Sequence, residues 1–519
     1  MNRKRNILYL VLCVNLLVGM TGCYEDKSTE ATIEIPEIVI DTTGIGGNIV
    51  LRKFAPLQLA PKVSKEGTDA SQFSYKWMLS LKPVKFGTDD AYECIGEDKD
   101  LDIKEFNRDD DETTYRLWYQ VTDKTTGLRK DMIWTVRVLA TYGEGLLVAE
   151  EVDGGTDLAL IESEEFSEGY EDQPLIRHGI YSQANEGGKI DSDLTQLTAW
   201  REGNNSYTKY YLILGKNGDD KYLLLDKNYR VKYRNEEGFI EYAVDKVEPT
   251  QFVTFSYAVY LINGNDLHWL YTSPNSSNMQ WSAPVPYSGS YVKLNYLAGG
   301  MYTGYNYSFY YDKENSCFRT LYNTLARWDL ASIAKGTSDR TLGIDPGNCP
   351  DVEMIFGGPG PDKKVYGLLR NTKNGNYSIL GLNSSSNKFN AYYEIPSCEL
   401  DNAIDYACYE MGNVFYFATS HKVYAIQLNA EPVNVVEIYS STDEITHMSI
   451  FRQAKNATHY SSATLKGSAE TILLTTWDGS KGTVHSIPIK NLDTGELNTA
   501  EAKKYGDFGK ISKVIHQYP

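Results

Sequence analysis

The chemistry open to this chain is narrow. Its seven histidines, at 178, 268, 421, 447, 459, 485 and 516, are scattered, and no two keep the short spacing of a zinc-hydrolase motif. No G-x-S-x-G elbow, Walker loop or dinucleotide fingerprint is present. Ser385-Ser386-Asn387-Lys388 meets the S-x-x-K pattern inside an Asn/Ser-rich turn, with no helix-forming stretch after it. Gly357-Gly358-Pro359-Gly360-Pro361 holds too much proline to cradle a phosphate with consecutive amides, and it reads as a rigid loop. Carboxylates are abundant, and glycoside cleavage needs only two of them across a bond. A glycoside hydrolase or lyase therefore stays open as the alternative, but no pair stands out. Calcium has oxygen ligands on offer at Asp153, Asp157 and the Asp109-Asp110-Asp111 run, none at the spacing of a known calcium loop. No catalytic residue, metal ligand or cofactor is assigned.

The binding signal is aromatic. Trp281, Tyr287 and Tyr291 lie among Asn, Ser, Pro and Gly, and Tyr302, Tyr305 and Tyr307 follow in a Gly-flanked stretch. Rigid amphipathic rings beside small polar residues resemble the make-up of recognition loops. Trp281, Tyr287, Tyr305 and Tyr307 are accordingly expected to contact a ligand, by stacking on sugar faces or peptide side chains. The competing expectation is that these rings pack between sheets.

These residues must be positioned by something large. The chain has 519 residues, 41% hydrophobic and 23% charged, which suffices for more than one globular body. A mean hydropathy of −0.42 is too polar for a multi-span membrane protein. The net charge of −18 would repel a phosphate backbone, so nucleic acid is excluded as a partner. Forty Tyr and 42 Gly point to strands and turns.

The first residues read as an address. Arg3, Lys4 and Arg5 precede an apolar run from Ile7 to Met20, which is shorter than a membrane span, and Met20-Thr21-Gly22-Cys23 follows. This looks like a lipoprotein signal over residues 1–22, with Cys23 as the lipidated N-terminus of the mature chain and the lipid as its membrane contact. Glu25 and Asp26 after it resemble the export signal that sends Bacteroidota lipoproteins to the outer face of the outer membrane. Five cysteines then remain in the body. Cys398 and Cys408 could bridge neighbouring strands, but no disulfide framework is expected.

After a tether at 23–33, period-two alternation marks a first all-β body over 34–140, with strands near 57–59, 73–79, 115–121 and 132–138 and Trp77 as its core aromatic. The run Val121-Thr122-Asp123, a turn with Gly127, and then Val136-Arg137-Val138 resembles the closing hairpin of PKD domains, which are immunoglobulin-like sandwiches. Over 141–519, apolar hairpins recur at 145–161, 210–226, 258–271, 307–321, 365–382, 414–428 and 471–489. This periodicity is what a β-propeller of about seven blades requires; stacked sandwiches are the alternative.

Leu147-Val148-Ala149-Glu150 and Asn263-Gly264-Asn265-Asp266-Leu267 are similar to segments of a Bacteroidota PKD-like surface lipoprotein family whose members lie beside SusC/SusD-type importers. That resemblance implies an accessory, non-catalytic binding or docking subunit of a TonB-dependent nutrient importer. Its partners would be the SusC-like transporter and SusD-like lipoprotein, and its ligand an oligosaccharide or oligopeptide.

Overall fold

The computed structural model describes residues 36–52, 55–81, 91–106, 113–139, 142–200, 210–254, 259–270, 279–287, 289–299, 305–322, 333–337, 342–454 and 463–518. Cys23 with its signal, and the Asp109–Asp111 run, lie outside them. The fold is all-β: the one α-helix among the described residues is Ile180–Ala184. The chain divides into two compact units, up to Leu139 and from Ala140 onward.

The first unit is an immunoglobulin-like, PKD-like domain. Its five-stranded sheet runs Asn48–Arg52, Arg129–Leu139, Thr113–Asp123, Phe73–Ser80, Tyr92–Gly96, with the first pair parallel and the others antiparallel. Alternation places Phe73, Trp77 and Leu79 with Tyr115, Leu117, Tyr119, Val121, Trp134 and Val136 on the buried face. Trp77 stacks on Tyr119 at 4.1 Å, and its indole N–H donates to Asp98 O at 3.0 Å. The Val121-Thr122-Asp123 motif has a physical reason. The Asp123 carboxylate accepts from the N–H groups of Thr125 (2.8 Å) and Thr126 (3.3 Å), which fixes the turn to Gly127. Lys65, just after the strand Lys62–Ser64, pairs with the same buried carboxylate. These bonds outweigh burial and hold the Asp123 carboxyl well below the usual range.

In the second unit the described residues carry seven antiparallel sheets of three or four strands, and the seven apolar hairpins form a pair of neighbouring strands in each. Sheet one joins the end of the chain to its beginning: Lys510–Gln517 pairs with Gly145–Val152, which continues into Gly155–Glu162 and Leu175–Arg177. The tight turn between its two long strands holds Asp153 and Gly154 at φ 50° and 81°, as a two-residue hairpin demands. Sheets two to seven follow in chain order. Their first strands are Asp193–Trp200 in sheet two, Pro249–Thr254 in sheet three, Tyr307–Asp312 in sheet four, Val352–Pro359 in sheet five, Asp405–Cys408 in sheet six and Glu444–Ile450 in sheet seven. In sheet four, Ala298 bridges to Phe309 ahead of the first strand.

Strands buried on both faces need partners on both sides, and each pair of successive sheets encloses its own apolar cluster. Leu147 and Leu160 of sheet one meet Leu197 and Ile213 of sheet two. Similar clusters lie between two and three, three and four, four and five, five and six, and six and seven. Leu473 and Val484 of sheet seven meet Val148 and Ile161 of sheet one.

The sequence reading of Gly357–Pro361 as a loop is corrected here: Gly357 to Pro359 end the strand Val352–Pro359. The glycines are there for packing. A Cβ on Gly357 would lie 2.4 Å from Cβ of Ala298, and one on Gly360 2.3 Å from the Tyr366 ring. The five cysteines of the body, Cys398 and Cys408 included, carry free thiols.

Candidate functional site

Of the four rings singled out by sequence, Trp281 and Tyr305 are buried and Tyr287 and Tyr307 are half-buried. Trp281 is fully buried among Tyr222, Phe252 and Phe239 between sheets two and three. Tyr305 is buried too, its hydroxyl donating to Gly360 O at 2.8 Å. Tyr287 is half-buried beneath the Arg319 guanidinium, 4.9 Å from the ring centroid, and accepts a hydrogen bond from it at 2.8 Å. Tyr307 packs on Tyr322 at 4.7 Å. Trp281 and Tyr305, being buried, are packing elements, while Tyr287 and Tyr307 are half-buried and each already engages a neighbour. Asp157 is likewise spoken for, accepting from the N–H groups of Leu158, Tyr181 and Ser182 and from Lys189. Among the described residues no group of three or more His, Cys, Asp or Glu side chains is placed to hold a metal ion.

A cleft of about 460 Å³ opens where sheets four, five and six adjoin, walled by Tyr296, Tyr377 and Tyr406, with Glu353, Arg370 and Asp401 at its edge. Tyr296 comes from the segment leading into sheet four, Glu353 from the first strand of sheet five, and Tyr406 from the first strand of sheet six. Phe356 lies behind them, 5.6 Å from the Tyr296 ring and stacked at 5.5 Å and 28° on Tyr406. Asp401 organises the rim. Its carboxylate accepts from the Tyr377 hydroxyl at 2.7 Å and sits 3.5 Å from Arg370. Burial, followed by that carboxylate, pushes the Tyr377 hydroxyl up to about 12, while burial also raises Tyr296 and Tyr406. All three phenols stay neutral at physiological pH; the Tyr377 O–H is given to Asp401 and the Tyr296 O–H to Gly357 O at 3.3 Å.

Beside Tyr406, Asp405 accepts from His447 Nδ1 at 2.5 Å and the Met448 N–H at 3.3 Å, with Lys513 Nζ at 3.6 Å. Burial alone would raise the Asp405 carboxyl; the two basic side chains reverse this and hold it well below the usual range. His447 is lowered by burial first and by Lys513 second, and it is also hydrogen-bonded to the backbone of Val514.

These contacts belong to a series in which a side chain from each first strand, or from the segment leading into sheet four, reaches the next. Gln196 closes a two-bond clasp on Phe252, accepting from its N–H and donating to its C=O, both at 2.8 Å. Gln251 does the same to Leu297 at 2.9 and 3.1 Å. Tyr296 donates to Gly357 O at 3.3 Å, Phe356 stacks on Tyr406, Asp405 takes Met448, and His447 takes Val514. Each link lands one residue past the side chain that makes the next link. The sequence reading missed the cleft and this series, although Thr195-Gln196 and Thr250-Gln251 repeat a visible pair.

A model of the PKD-like family matches residues 23–192, covering the first unit and the opening strands of the second. No curated protein matches the chain. Solved structures it aligns with include the eight N-terminal Ig domains of Down syndrome cell adhesion molecule isoform 1.30.30 and Drosophila N-cadherin EC1-4. The first alignment has 11% identity and a TM-score of 0.14, and covers 92% of this chain and 60% of that one. The second has 9% identity and a TM-score of 0.12, and covers 91% and 98%. Neither score carries an argument about how the seven sheets are arranged.

Proposed function

We propose that this protein is a lipid-anchored, outward-facing outer-membrane protein, a non-catalytic binding and docking subunit of a SusC/SusD-type TonB-dependent importer. Its ligand is an oligosaccharide or oligopeptide captured near the transporter's mouth. The observation that carries the binding role is the cleft of sheets four to six, with three neutral phenols and an Arg370–Asp401–Tyr377 rim already in place. The lining is mostly polar, with aromatic rings among charged and amide groups, which suits a polar ligand such as a sugar or peptide. Its scaffold is a β-propeller of seven blades. The reading is supported by sheet one, which unites the two ends of the unit, and by seven apolar clusters that run from sheet one round to sheet one. The anchor rests on Cys23 and the residues around it.

Co-purification from gently solubilised membranes tests the assignment: a SusC-like barrel should accompany the wild type. Cys23→Ala should accumulate as unprocessed precursor, and protease added to intact cells should digest the wild type. Complete protection from protease would contradict surface exposure. Turnover of a surface glycan by the pure protein, lost in Glu353→Gln or Asp401→Asn, would replace the docking subunit by a hydrolase or lyase.

A further inference from the structure

Five first strands share one irregularity, a bulge just before the linking residue. The bulged residues are Thr195, Thr250, Ile355, Thr446 and Ser512. Four carry a hydroxyl, and each uses it on the neighbouring strand. Thr195 donates to Leu214 O at 3.2 Å, Thr250 to Ile262 O at 3.4 Å and Ser512 to Ala149 O at 3.5 Å, while Thr446 shares a 2.7 Å bond with the Thr475 hydroxyl. Sheets two, three, seven and one thus repeat a hydroxyl residue followed by a polar linker: Thr195-Gln196, Thr250-Gln251, Thr446-His447, Ser512-Lys513. At the corresponding places sheets four, five and six have Asn295-Tyr296, Ile355-Phe356 and Ile404-Asp405. The three sheets that abandon the hydroxyl are the three that enclose the cleft.

Local rules that agree throughout a structure and fail together in one place mark a place selected for something other than folding. We propose, building on the binding role above, that this sector is the ligand site and that it takes a neutral oligosaccharide. The departures have a chemical direction. Tyr296, Tyr377 and Tyr406 line the cleft, with Phe356 packed behind Tyr296 and Tyr406, and a ring that lines a cleft can meet the apolar C–H face of a pyranose ring. Glu353 and Asn295 are exposed and bonded to no other described side chain, which leaves acceptors for ring hydroxyls. Arg370 already faces Asp401, so no unengaged cation at the rim awaits a uronate or sulfate, and Glu353 would repel either. A cationic peptide would find the Glu353 carboxylate but would meet Arg370 across the same opening.

The test titrates the mature protein with short neutral gluco-, manno-, galacto- and xylo-oligosaccharides, with oligolysine and with oligogalacturonate. At least one neutral oligosaccharide should bind, and Tyr406→Ala should weaken it at least about tenfold. A double variant, Ile355→Thr with Phe356→Gln, restores the repeat. Folded protein of this variant should lose affinity by at least about tenfold. If it does not fold, Tyr406→Ala and Glu353→Gln carry the same readout. Neutral sugar bound with unchanged affinity by all the variants would overturn the location and leave the capture role standing. Binding of oligolysine or oligogalacturonate alone, lost in Tyr406→Ala, would overturn the ligand class. No binding of any probe would overturn the oligosaccharide proposal, while co-purification with the barrel separately decides the docking role.

Discussion

Sheets one, two, three and seven on one side, and sheets four, five and six on the other, grow from the same apolar hairpin yet join their neighbours differently. In the first group the joints are polar and local: a hydroxyl holds the bulge, and at Gln196 and Gln251 an amide clasps both backbone groups of the residue opposite. In the second the joints are mostly rings, Tyr296 to Phe356 to Tyr406, with the cleft in front of them. A clasp satisfies buried polar groups and leaves no surface to offer. Stacked rings contribute packing and still present faces and edges. The difference teaches that one repeat can be joined in two ways, by polar clasps in one group of sheets and by stacked rings in the other.

The largest effect should come inside the second group, where two of its sheets pack to contact. Gly357→Ala places a methyl 2.4 Å from Cβ of Ala298 and 2.6 Å from Tyr366 O, at the joint of sheets four and five. Overpacking against backbone should cost about 3 kcal/mol, read from urea midpoints. A loss below about 0.5 kcal/mol would mean that this joint is loose. Next is Gln251→Ala, which strands the N–H and C=O of the buried Leu297; a loss of about 2 kcal/mol is expected, with Gln196→Ala similar at Phe252. Near-neutral outcomes would remove the clasp from the account.

Acid should act on the stiff arc. His485 in sheet seven and His516 in sheet one are lowered by burial to about 4. His516 accepts from the Ala454 N–H at Nδ1 and donates to Phe166 O from Nε2, so protonating Nδ1 would break a bond. Folded-state values below the ordinary 6.5 mean that the unfolded chain binds protons first as pH falls. The stability these groups contribute is complete above about pH 6.5 and drains away toward about pH 4. The melting temperature should fall from pH 7 to pH 5, and His516→Gln should flatten that slope. Hydrogen exchange at pH 5 should rise in sheets seven and one before sheets four to six; the reverse order would contradict the assignment of acid sensitivity to this arc.

How much of this was legible in the sequence follows the same division. The seven hairpins were readable because strands such as Tyr210–Lys216 and Val414–Ala418 are apolar on both faces and end in turn residues. The PKD-like strands were readable from alternation around Trp77 and from the Asp123 turn. The first strands of the sheets were harder, because a bulge at Thr250 or Thr446 shifts the register and interrupts any simple period. The site was hidden for another reason. Local aromatic density favoured Trp281 and Tyr305, but in a chain with 40 tyrosines density reports packing as readily as contact. The cleft gathers Tyr296, Tyr377 and Tyr406, which are far apart in sequence and are brought together only by the stacking of successive sheets. Lys65 was missed similarly: its partner Asp123 is 58 residues away.

The largest effect on binding should be at Tyr406, which is only partly buried and lines the cleft. The central claim, that one arc of the repeat holds and the other binds, is tested most directly by one set of thermal melts. Wild type, Gln251→Ala and Tyr406→Ala are melted with and without the neutral oligosaccharide that the wild type binds. Gln251→Ala should melt several degrees lower and keep the full upward shift on adding sugar. Tyr406→Ala should lose most of that shift, whatever its own melting temperature without sugar. The opposite pattern, with the shift lost in Gln251→Ala and retained in Tyr406→Ala, would contradict the division of the molecule described here.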